Sequence, residues 1–363
     1  DIGTLADDGI IADNIKVAAA PARYPFLWNA AIQDYTQWPG FAANGNDLLG
    51  LSRNLGEVYG VFGEFRPVEK RGILFDNDYI SQNSANWDGL KELEDWIGDI
   101  GAPEWPWELD QDLAMDGKAI FELPTAEGGC VECHGKKKGE FRSFKHETLA
   151  TPIKAVGTDE RECQILETTV DTGILEGAKI PLVGTPLGKE ARAFDVLALS
   201  VLGAIIQHAT DFLSEEDRQI ISGLEAELEG NFGDAFSDLE KAFPITQKDG
   251  SFPTVAAADP GCAYEARVLE GIWAAAPYLH KGSVPTLTNL LKKPADRPMS
   301  YVPGPAYDIE AVGLAKQQTM FDQTVTLTGC DDVTSGNSNC GHTFGTDLSE
   351  GQKQALIEYL KSI

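Results

Sequence analysis

The sequence predicts a mainly α chain with long irregular loops, and three observations lead to that prediction. Apolar residues recur at helical spacing over 87–97, from Asp110 to Phe121, and from Ser349 to the last residue. Ser349 precedes Gln352 by three positions, which is the spacing of a helix-capping box. Between such segments, 37 Gly and 19 Pro residues and clustered aromatic residues predict packed loops rather than regular structure.

Three further segments bear on the helix content. An apolar helix is expected over 195–208, and Ser214 is the expected N-cap of another helix. The glycines of segment 53–63 argue against a long helix there, because glycine disfavours helix interiors. A short helix or a turn around Glu57 is therefore expected.

The chain is also expected to divide into two regions. Pro and Trp residues interrupt it over 103–107, immediately after the helix predicted at 87–97. We therefore predict an irregular, loop-rich region over residues 1–107 and a second domain over residues 108–363. With 363 residues, the chain is long enough for two domains or one large core.

The charge balance excludes several classes of partner. Against 29 Lys and Arg residues stand 57 Asp and Glu residues, so the net charge is −28. Such a surface repels nucleic acid and anionic membranes, and no apolar run is long enough to span a bilayer. A protein partner is expected to offer a basic patch. No signal peptide is visible, so Asp1 is expected to be a processed or truncated start.

One motif carries specific chemistry. Residues 130–134 form a Cys-x-x-Cys-His sequence, the attachment signal of a c-type haem. Cys130 and Cys133 would bind the porphyrin as thioethers, and His134 would be the proximal iron ligand. Half of a zinc site or a redox dithiol are the alternatives. A second Cys-x-x-Cys pair and a thioredoxin-like context are both missing, so one haem c per chain is predicted.

The other four cysteines predict disulfides. Cys330 and Cys340 flank a short polar loop and are the expected pair, which leaves Cys163 with Cys262 by elimination. Disulfides beside a haem c motif predict a periplasmic or extracellular location in a bacterium. The helices from Asp110 and from Ser349 bracket the haem motif in sequence, which is typical of a cytochrome c-type haem domain. Long loop insertions would separate them.

The sixth iron ligand has several candidates. His280 lies among Pro, Gly and aromatic residues that suit a rigid loop, and it is the first candidate. Met299 is the runner-up, since methionine is the other common distal ligand, and an open site is the third possibility. His208 ends a predicted helix, where a cationic ring complements the helix dipole, so a structural role is the favoured interpretation for it. His342 and His146 lie in polar loops and are expected to be exposed.

A family resemblance accompanies these residues. The stretch Leu269-Glu-Gly-Ile-Trp-Ala-Ala-Ala-Pro-Tyr-Leu-His-Lys-Gly-Ser-Val-Pro-Thr-Leu287 resembles the region around the distal haem ligand of rubber oxygenase-like dihaem cytochromes. These proteins are relatives of the bacterial dihaem cytochrome c peroxidases. The resemblance implies that His134 and His280 coordinate one haem on opposite faces. Further similar blocks are Pro25–Trp28, Gln37–Gly40, Gly56–Gly63, Arg297-Pro298 and Gly336–Asp347.

The chain departs from this family in one respect. Family members carry two Cys-x-x-Cys-His sites, whereas this sequence has one. The similar blocks correspond to the region after the first haem and to the second haem domain. In the family, a Glu in the block similar to Gly56-Glu57 faces the first, catalytic haem. Glu57 is therefore a weak catalytic candidate, and a hydrogen-bonded loop carboxylate is the simpler interpretation.

Three functions are compatible with this sequence. An electron-transfer cytochrome is favoured, because two imidazole ligands leave no open iron position. A peroxidase or oxygenase acting with peroxide or dioxygen is the alternative. It would use an open position on this haem, or the chain would be part of an enzyme whose catalytic haem lies outside it. A structural subunit or oligomer is the third. The expected partner is a redox protein, such as another cytochrome or the first-haem portion, and Lys136, Lys137 and Lys138 are a candidate docking patch for an acidic one.

Overall fold

The computed structural model describes residues 11–18, 22–45, 47–70, 77–137, 148–178, 186–208 and 262–363. Seven α-helices lie in these ranges, and most are short. They are α1 (Asp47–Glu57), α2 (Trp87–Gly98), α3 (Gln111–Phe121), α4 (Val131–His134), α5 (Ala193–His208), α6 (Leu287–Leu290) and α7 (Glu350–Lys361). Single 3-10 turns occur at Ala12–Asn14, Ala30–Ile32, Thr125–Glu127, Ile165–Glu167, Gly173–Leu175, Ile272–Ala275 and Pro294–Asp296. None of these helices is long and apolar enough to cross a membrane.

The strands of the described residues form six separate antiparallel ladders of two strands each. The pairs are β1 (Tyr35–Thr36) with β2 (Ala42–Ala43), β3 (Val68–Glu69) with β4 (Asn77–Asp78), β5 (Ile153–Lys154) with β8 (Tyr264–Glu265), β6 (Thr169–Asp171) with β7 (Glu190–Arg192), β9 (Ser300–Tyr301) with β12 (Val325–Thr326), and β10 (Tyr307–Asp308) with β11 (Gly313–Leu314). The β5–β8 ladder matters most for function, because β8 leads into the residues that line the site described below.

The prediction of a mainly α fold is wrong. Short ladders and irregular loops make up much of the described chain, and two of the helices are only four residues long. Buried polar side chains replace regular hydrogen bonding in these loops. The Asp159 carboxylate, for example, accepts from the backbone N–H groups of Arg161, Gly336 and Ser338. Sequence periodicity does not report such contacts, because they join residues far apart in the chain.

The individual helix predictions fare better. Helices form over Trp87–Gly98, Gln111–Phe121, Ala193–His208 and Glu350–Lys361, close to the expected ranges. The capping box at Ser349 is present, with both of its hydrogen bonds to Gln352. The helix around Glu57 is longer than expected, because α1 continues into a π-helical turn over Val58–Phe62. The helix expected after Ser214 lies outside the described residues.

Helices α3 and α7 cross directly beside the haem motif. Gly117 allows their close approach, because a Cβ at this position would overlap the backbone carbonyl of Ala355 on α7. The Asp110 side chain caps α3 by accepting from Leu113 N, and the Asp110 N–H donates to the Glu358 carboxylate of α7 at 2.8 Å. The N-terminus of α3 is thus fixed to α7. From the C-terminus of α3 the chain continues to Cys130, where the haem motif begins.

Two large apolar clusters form the core. The α1–α5 core joins α1, α2 and α5 around the buried residues Leu55, Tyr79 and Leu199. The α3–α7 core joins α3, α7 and the segment 272–291 around Leu356 and other buried residues. Segments on both sides of position 107 contribute to each core, and the division of the chain at that position stays a prediction.

Candidate haem centre

The Cys-x-x-Cys-His motif occupies one helical turn, α4, which follows α3 and the turn over Thr125–Glu127. The Cys130 N–H donates to the Phe121 carbonyl at 2.9 Å, and α4 begins at the next residue. Gly129 packs against the Leu123 carbonyl, leaving no room for a side chain. Cys130 and Cys133 are the free thiols of the chain, because the other four cysteines form disulfides. Two free, half-buried thiols one helical turn apart suit a double thioether attachment.

His134 is held in the orientation of an iron ligand. Its Nδ1 lies 2.7 Å from the Arg267 carbonyl oxygen, so Nδ1 carries the proton in this contact and Nε2 is left for a metal. Burial lowers the pKa of His134, with the hydrogen bond to Arg267 acting in the opposite direction. The neutral imidazole, which is the form that binds metals, is therefore favoured.

His342 lies across the cavity from His134. The ring centres are 6.2 Å apart and the ring planes are inclined by 49°. A metal–imidazole bond is about 2 Å, and each ring centre lies about 1 Å beyond its nitrogen, so two imidazoles on one metal have centres about 6 Å apart. Burial, followed by the charges of His134 and Arg297, lowers the pKa of His342 to about 3. The separation of the two rings is therefore one at which His134 and His342 could hold one metal between them.

A buried arginine fixes the loop that carries His342. Arg297 is 3% exposed, and its guanidinium donates to the carbonyl oxygens of Asn339, Gly341 and His342 at 2.6, 2.8 and 2.9 Å. Gly341 packs against the backbone of Gly157, where no side chain would fit. His342 has a positive φ of 44°, an uncommon conformation for a residue other than glycine. These contacts hold the ring in place.

His280 lines the same cavity and is 4% exposed. Its ring stacks on Tyr264 with ring centres 3.8 Å apart, and its backbone carbonyl oxygen accepts from the backbone N–H of Arg23 at 2.9 Å. Nε2 of His280 has no hydrogen-bond partner. Burial, followed by the charge of Lys281, lowers the pKa of His280 to about 3. His280 thus stays a candidate ligand from the sequence, and His342 is a candidate that the geometry adds.

The cavity that joins these groups fits a haem c. The described residues that line it include both free thiols, all three of these histidines and a predominantly apolar wall from Phe26, Leu269, Ile272, Leu287, Leu291, Leu356 and Leu360. Nε2 of His280 and Nδ1 of His342 are buried without hydrogen-bond partners, as expected of atoms that would contact a bound group. Cys130, Cys133 and His134 would hold the haem on one face, with His342 or His280 on the other.

Charged side chains gather at one part of the cavity wall. Arg23, Arg267 and Glu265 all line it, and Arg267 donates to the Glu265 carboxylate at 3.3 Å. Burial, and secondly the charge of Arg267, lowers the pKa of Arg23 to about 10. Burial raises the pKa of Glu265 to about 7. The positive charges of the two guanidinium groups therefore repel each other in this partly buried part of the wall.

The other candidates from the sequence lie outside this cavity. Met299 is 50% exposed, and its sulfur lies 3.9 Å from the Asn339 amide. Glu57 is exposed and accepts from the Gln37 side chain. His208 stacks on Trp87 with ring centres 4.1 Å apart. His146 falls outside the described residues.

Two of the three lysines that follow the motif contact nearby acidic residues of this chain. Lys136 pairs with Glu270, and Lys137 donates to the Glu132 carbonyl at 3.1 Å. Lys138 is outside the described residues. A docking patch at these positions stays a prediction.

Both expected disulfides are present. Cys163 and Cys262 are joined with their Cα atoms 5.8 Å apart, and Cys330 and Cys340 with theirs 4.9 Å apart. The Cys163 N–H donates to the hydroxyl of Tyr264, the residue that stacks on His280. Each disulfide therefore braces a loop next to one of the two candidate distal histidines.

The sequence-based expectation that His342 is exposed is wrong. The ring is half-buried, and its Nδ1 lies in the cavity wall. The polar composition of residues 331–343 concealed this, because the loop is held by buried arginine and aspartate groups rather than by apolar contacts. A histidine directly after Gly341, two residues beyond the loop that Cys330 and Cys340 close, is the signal that could have indicated a fixed position.

Comparison with known proteins agrees with this site. Residues 263–302 match a family model described as RoxA-like, cytochrome c-like. The match supports the resemblance to rubber oxygenase-like proteins. It also supports the prediction that the chain is a c-type cytochrome. The segment covers only part of the chain, but it contains β8, the Arg267 carbonyl and His280.

Two proteins of Sinorhizobium fredii are similar over almost the whole chain. The uncharacterized protein y4iJ is 26% identical over 97% of this chain and 56% of its own length. The uncharacterized protein y4iM is 44% identical over 93% of this chain and 63% of its own length. The chain thus spans between half and two thirds of the length of these relatives.

Proposed function

We propose that this chain is an electron-transfer cytochrome with one haem c, bound through Cys130 and Cys133, with His134 and His342 as axial ligands. The observation that carries the proposal is the 6.2 Å separation of the two imidazoles across a cavity that also holds both free thiols. When bound, the haem supplies an iron that accepts one electron and returns it. Burial lowers the pKa of both imidazoles, which favours the neutral form that ligation requires.

The residues around the site favour electron transfer over catalysis. Two axial imidazoles would leave no position for peroxide or dioxygen. The apolar wall would exclude water, which keeps the surroundings fixed when the charge of the centre changes. The hydrogen bond from His134 to the Arg267 carbonyl would hold the proximal ring in one orientation. A redox partner protein would be the source and the destination of the electrons.

An oxidoreductase acting with peroxide or dioxygen is the second candidate. The RoxA-like match favours it, together with the greater length of both relatives. In that case the chain would be the electron-relay part of a longer protein, and a second haem would be the reaction centre. Glu57 lies outside the cavity described here, so a catalytic role for it would require that other haem.

We also propose an exported location. Two disulfides and a thioether attachment site both suit an oxidising compartment such as the bacterial periplasm or the cell exterior. The acidic surface, with a net charge of −28, would favour a partner with a basic docking face.

Covalent haem attachment is the first prediction. The wild-type chain should carry one haem that survives denaturation, and the double variant Cys130→Ala, Cys133→Ala should lose it completely. Intact mass and haem staining of a denaturing gel measure this. The matched control is Cys330→Ala with Cys340→Ala, which also removes two sulfurs and should keep the haem. A wild-type chain without covalent haem would refute the proposal.

A further inference from the structure

Two arginines share one part of the cavity wall. The guanidinium carbons of Arg23 and Arg267 lie 4.9 and 5.8 Å from the ring centre of Trp38, so both groups pack against the same indole. Arg267 is 4% exposed, and its guanidinium also lies 4.6 Å from the ring of Phe26. Stacking on aromatic rings fixes the planes of both groups without using their N–H donors.

The charges at this place do not balance. Glu265 is the single carboxylate among the described residues that line the cavity, and it is paired with Arg267. In the described part of the chain, the guanidinium of Arg23 donates only to the backbone carbonyls of Ala275 and Pro277. The half-buried positive charge of Arg23 is therefore left without a carboxylate. A charge that is partly removed from water in this way favours a compensating anion.

Donors for such an anion are present. The Nε–H groups of Arg23 and Arg267 are both buried and have no hydrogen-bond partner. Buried polar groups in native proteins are almost always satisfied, so these donors indicate a missing acceptor. Arginine binds carboxylates with particular strength, because its N–H groups match the spacing of the two oxygens. The missing acceptor is expected to be a carboxylate.

The geometry points to Arg23 and Arg267 as the binding site for the propionate carboxylates of a haem in this cavity. This inference rests on the proposed function, since the thioethers at Cys130 and Cys133 are what place a haem there. Arg267 has two roles in this arrangement, one through its backbone and one through its side chain. Its carbonyl oxygen orients His134, and its guanidinium faces the cavity, so one residue joins the iron ligand to the anionic edge of the haem.

The reduction potential of the holoprotein tests this assignment. Removing a positive charge beside the propionates favours the oxidised centre, so Arg23→Gln and Arg267→Gln should each lower the reduction equilibrium constant about tenfold, which is 59 mV for one electron. Arg192→Gln is the matched control. Arg192 pairs with Glu167 and Asp195 and does not line the cavity. The reduction potential of the Arg192→Gln protein should therefore differ from the wild-type value by less than a third of that shift.

Lysine variants provide a second measurement if either glutamine variant does not fold. Arg23→Lys and Arg267→Lys keep the charge but lose the Nε–H donors, and each should shift the propionate bending band of the resonance Raman spectrum. Unchanged potentials in the glutamine variants, or unshifted bands in both lysine variants, would overturn the assignment. These outcomes require a haem-loaded chain. An absence of covalent haem in the wild type would instead count against the proposed function.

Discussion

At the scale of single residues, three imidazoles line one cavity, and a haem iron bound there would take two of them as ligands. The motif and the hydrogen bond to the Arg267 carbonyl favour His134 as the first of these ligands. His280 and His342 both line the cavity with an unpartnered nitrogen, and burial lowers the pKa of each to about 3. Protonation therefore does not distinguish them. The 6.2 Å separation from His134 favours His342, whereas His280 lies in the segment that matches the family model.

The spin state of the ferric protein should follow the distal ligand. If both imidazoles hold the haem as proposed, the wild-type spectrum should be low-spin and unaltered by cyanide or peroxide, because no open position would remain on the iron. His342→Gly removes one ligand, so the spectrum should become high-spin and should shift when cyanide or added imidazole binds. Electronic absorption and electron paramagnetic resonance measure the change.

His280→Gly is the matched control for that substitution. It removes an imidazole from the same cavity, and the protein should stay low-spin if His342 is the ligand. The reverse outcome, a high-spin His280→Gly and a low-spin His342→Gly, would restore the ligand predicted from the sequence. A wild-type spectrum that is already high-spin and responds to peroxide would favour the oxidoreductase.

At the scale of secondary-structure elements, the sequence predicts what depends on local spacing. The haem motif and the helices α3 and α7 follow from residues close together in the chain, so covalent chemistry and periodicity are enough to find them. The mainly α prediction failed because loops are stabilised here by distant polar contacts. Arg297 illustrates the difference, since it donates to carbonyls more than 40 positions away.

The crossing of α3 and α7 gives an element-scale prediction. Gly117→Ala would push a methyl group into the Ala355 carbonyl, so the helices must separate, and the free energy of unfolding should fall by about 3 kcal/mol. Because α3 leads directly to the thioether cysteines, haem attachment should also be less complete. Guanidinium denaturation followed by circular dichroism measures the stability.

The control for this substitution lies on the partner helix. Gly351 belongs to α7, and a Cβ there would meet no other atom within 4 Å. Gly351→Ala should therefore be neutral or stabilising by about 0.5–1 kcal/mol, as expected from helix propensity alone. Equal effects of the two substitutions would show that the close approach at Gly117 does not limit the packing of α3 on α7.

At the scale of the whole molecule, a hydrogen-bond network around Tyr264 and Asp159 connects the two disulfides to the segments that carry the two distal histidine candidates. The Tyr264 hydroxyl accepts from the Cys163 N–H and donates to the Asp159 carbonyl at 2.6 Å, while the Tyr264 ring stacks on His280. The Asp159 carboxylate in turn accepts from Ser338, in the loop closed by Cys330 and Cys340. Segments far apart in sequence thus meet behind the cavity.

The two disulfides should differ in what they contribute, because they close loops of different length. Cys163–Cys262 spans 99 positions and Cys330–Cys340 spans 10. Loop-closure entropy predicts that Cys163→Ala with Cys262→Ala lowers the free energy of unfolding by about 5 kcal/mol, and the Cys330→Ala, Cys340→Ala pair by about 3 kcal/mol. Denaturant unfolding of the haem-loaded proteins measures both values. A larger loss from the shorter loop would mean that native contacts around His342, rather than the entropy of the unfolded chain, set the contribution of that disulfide.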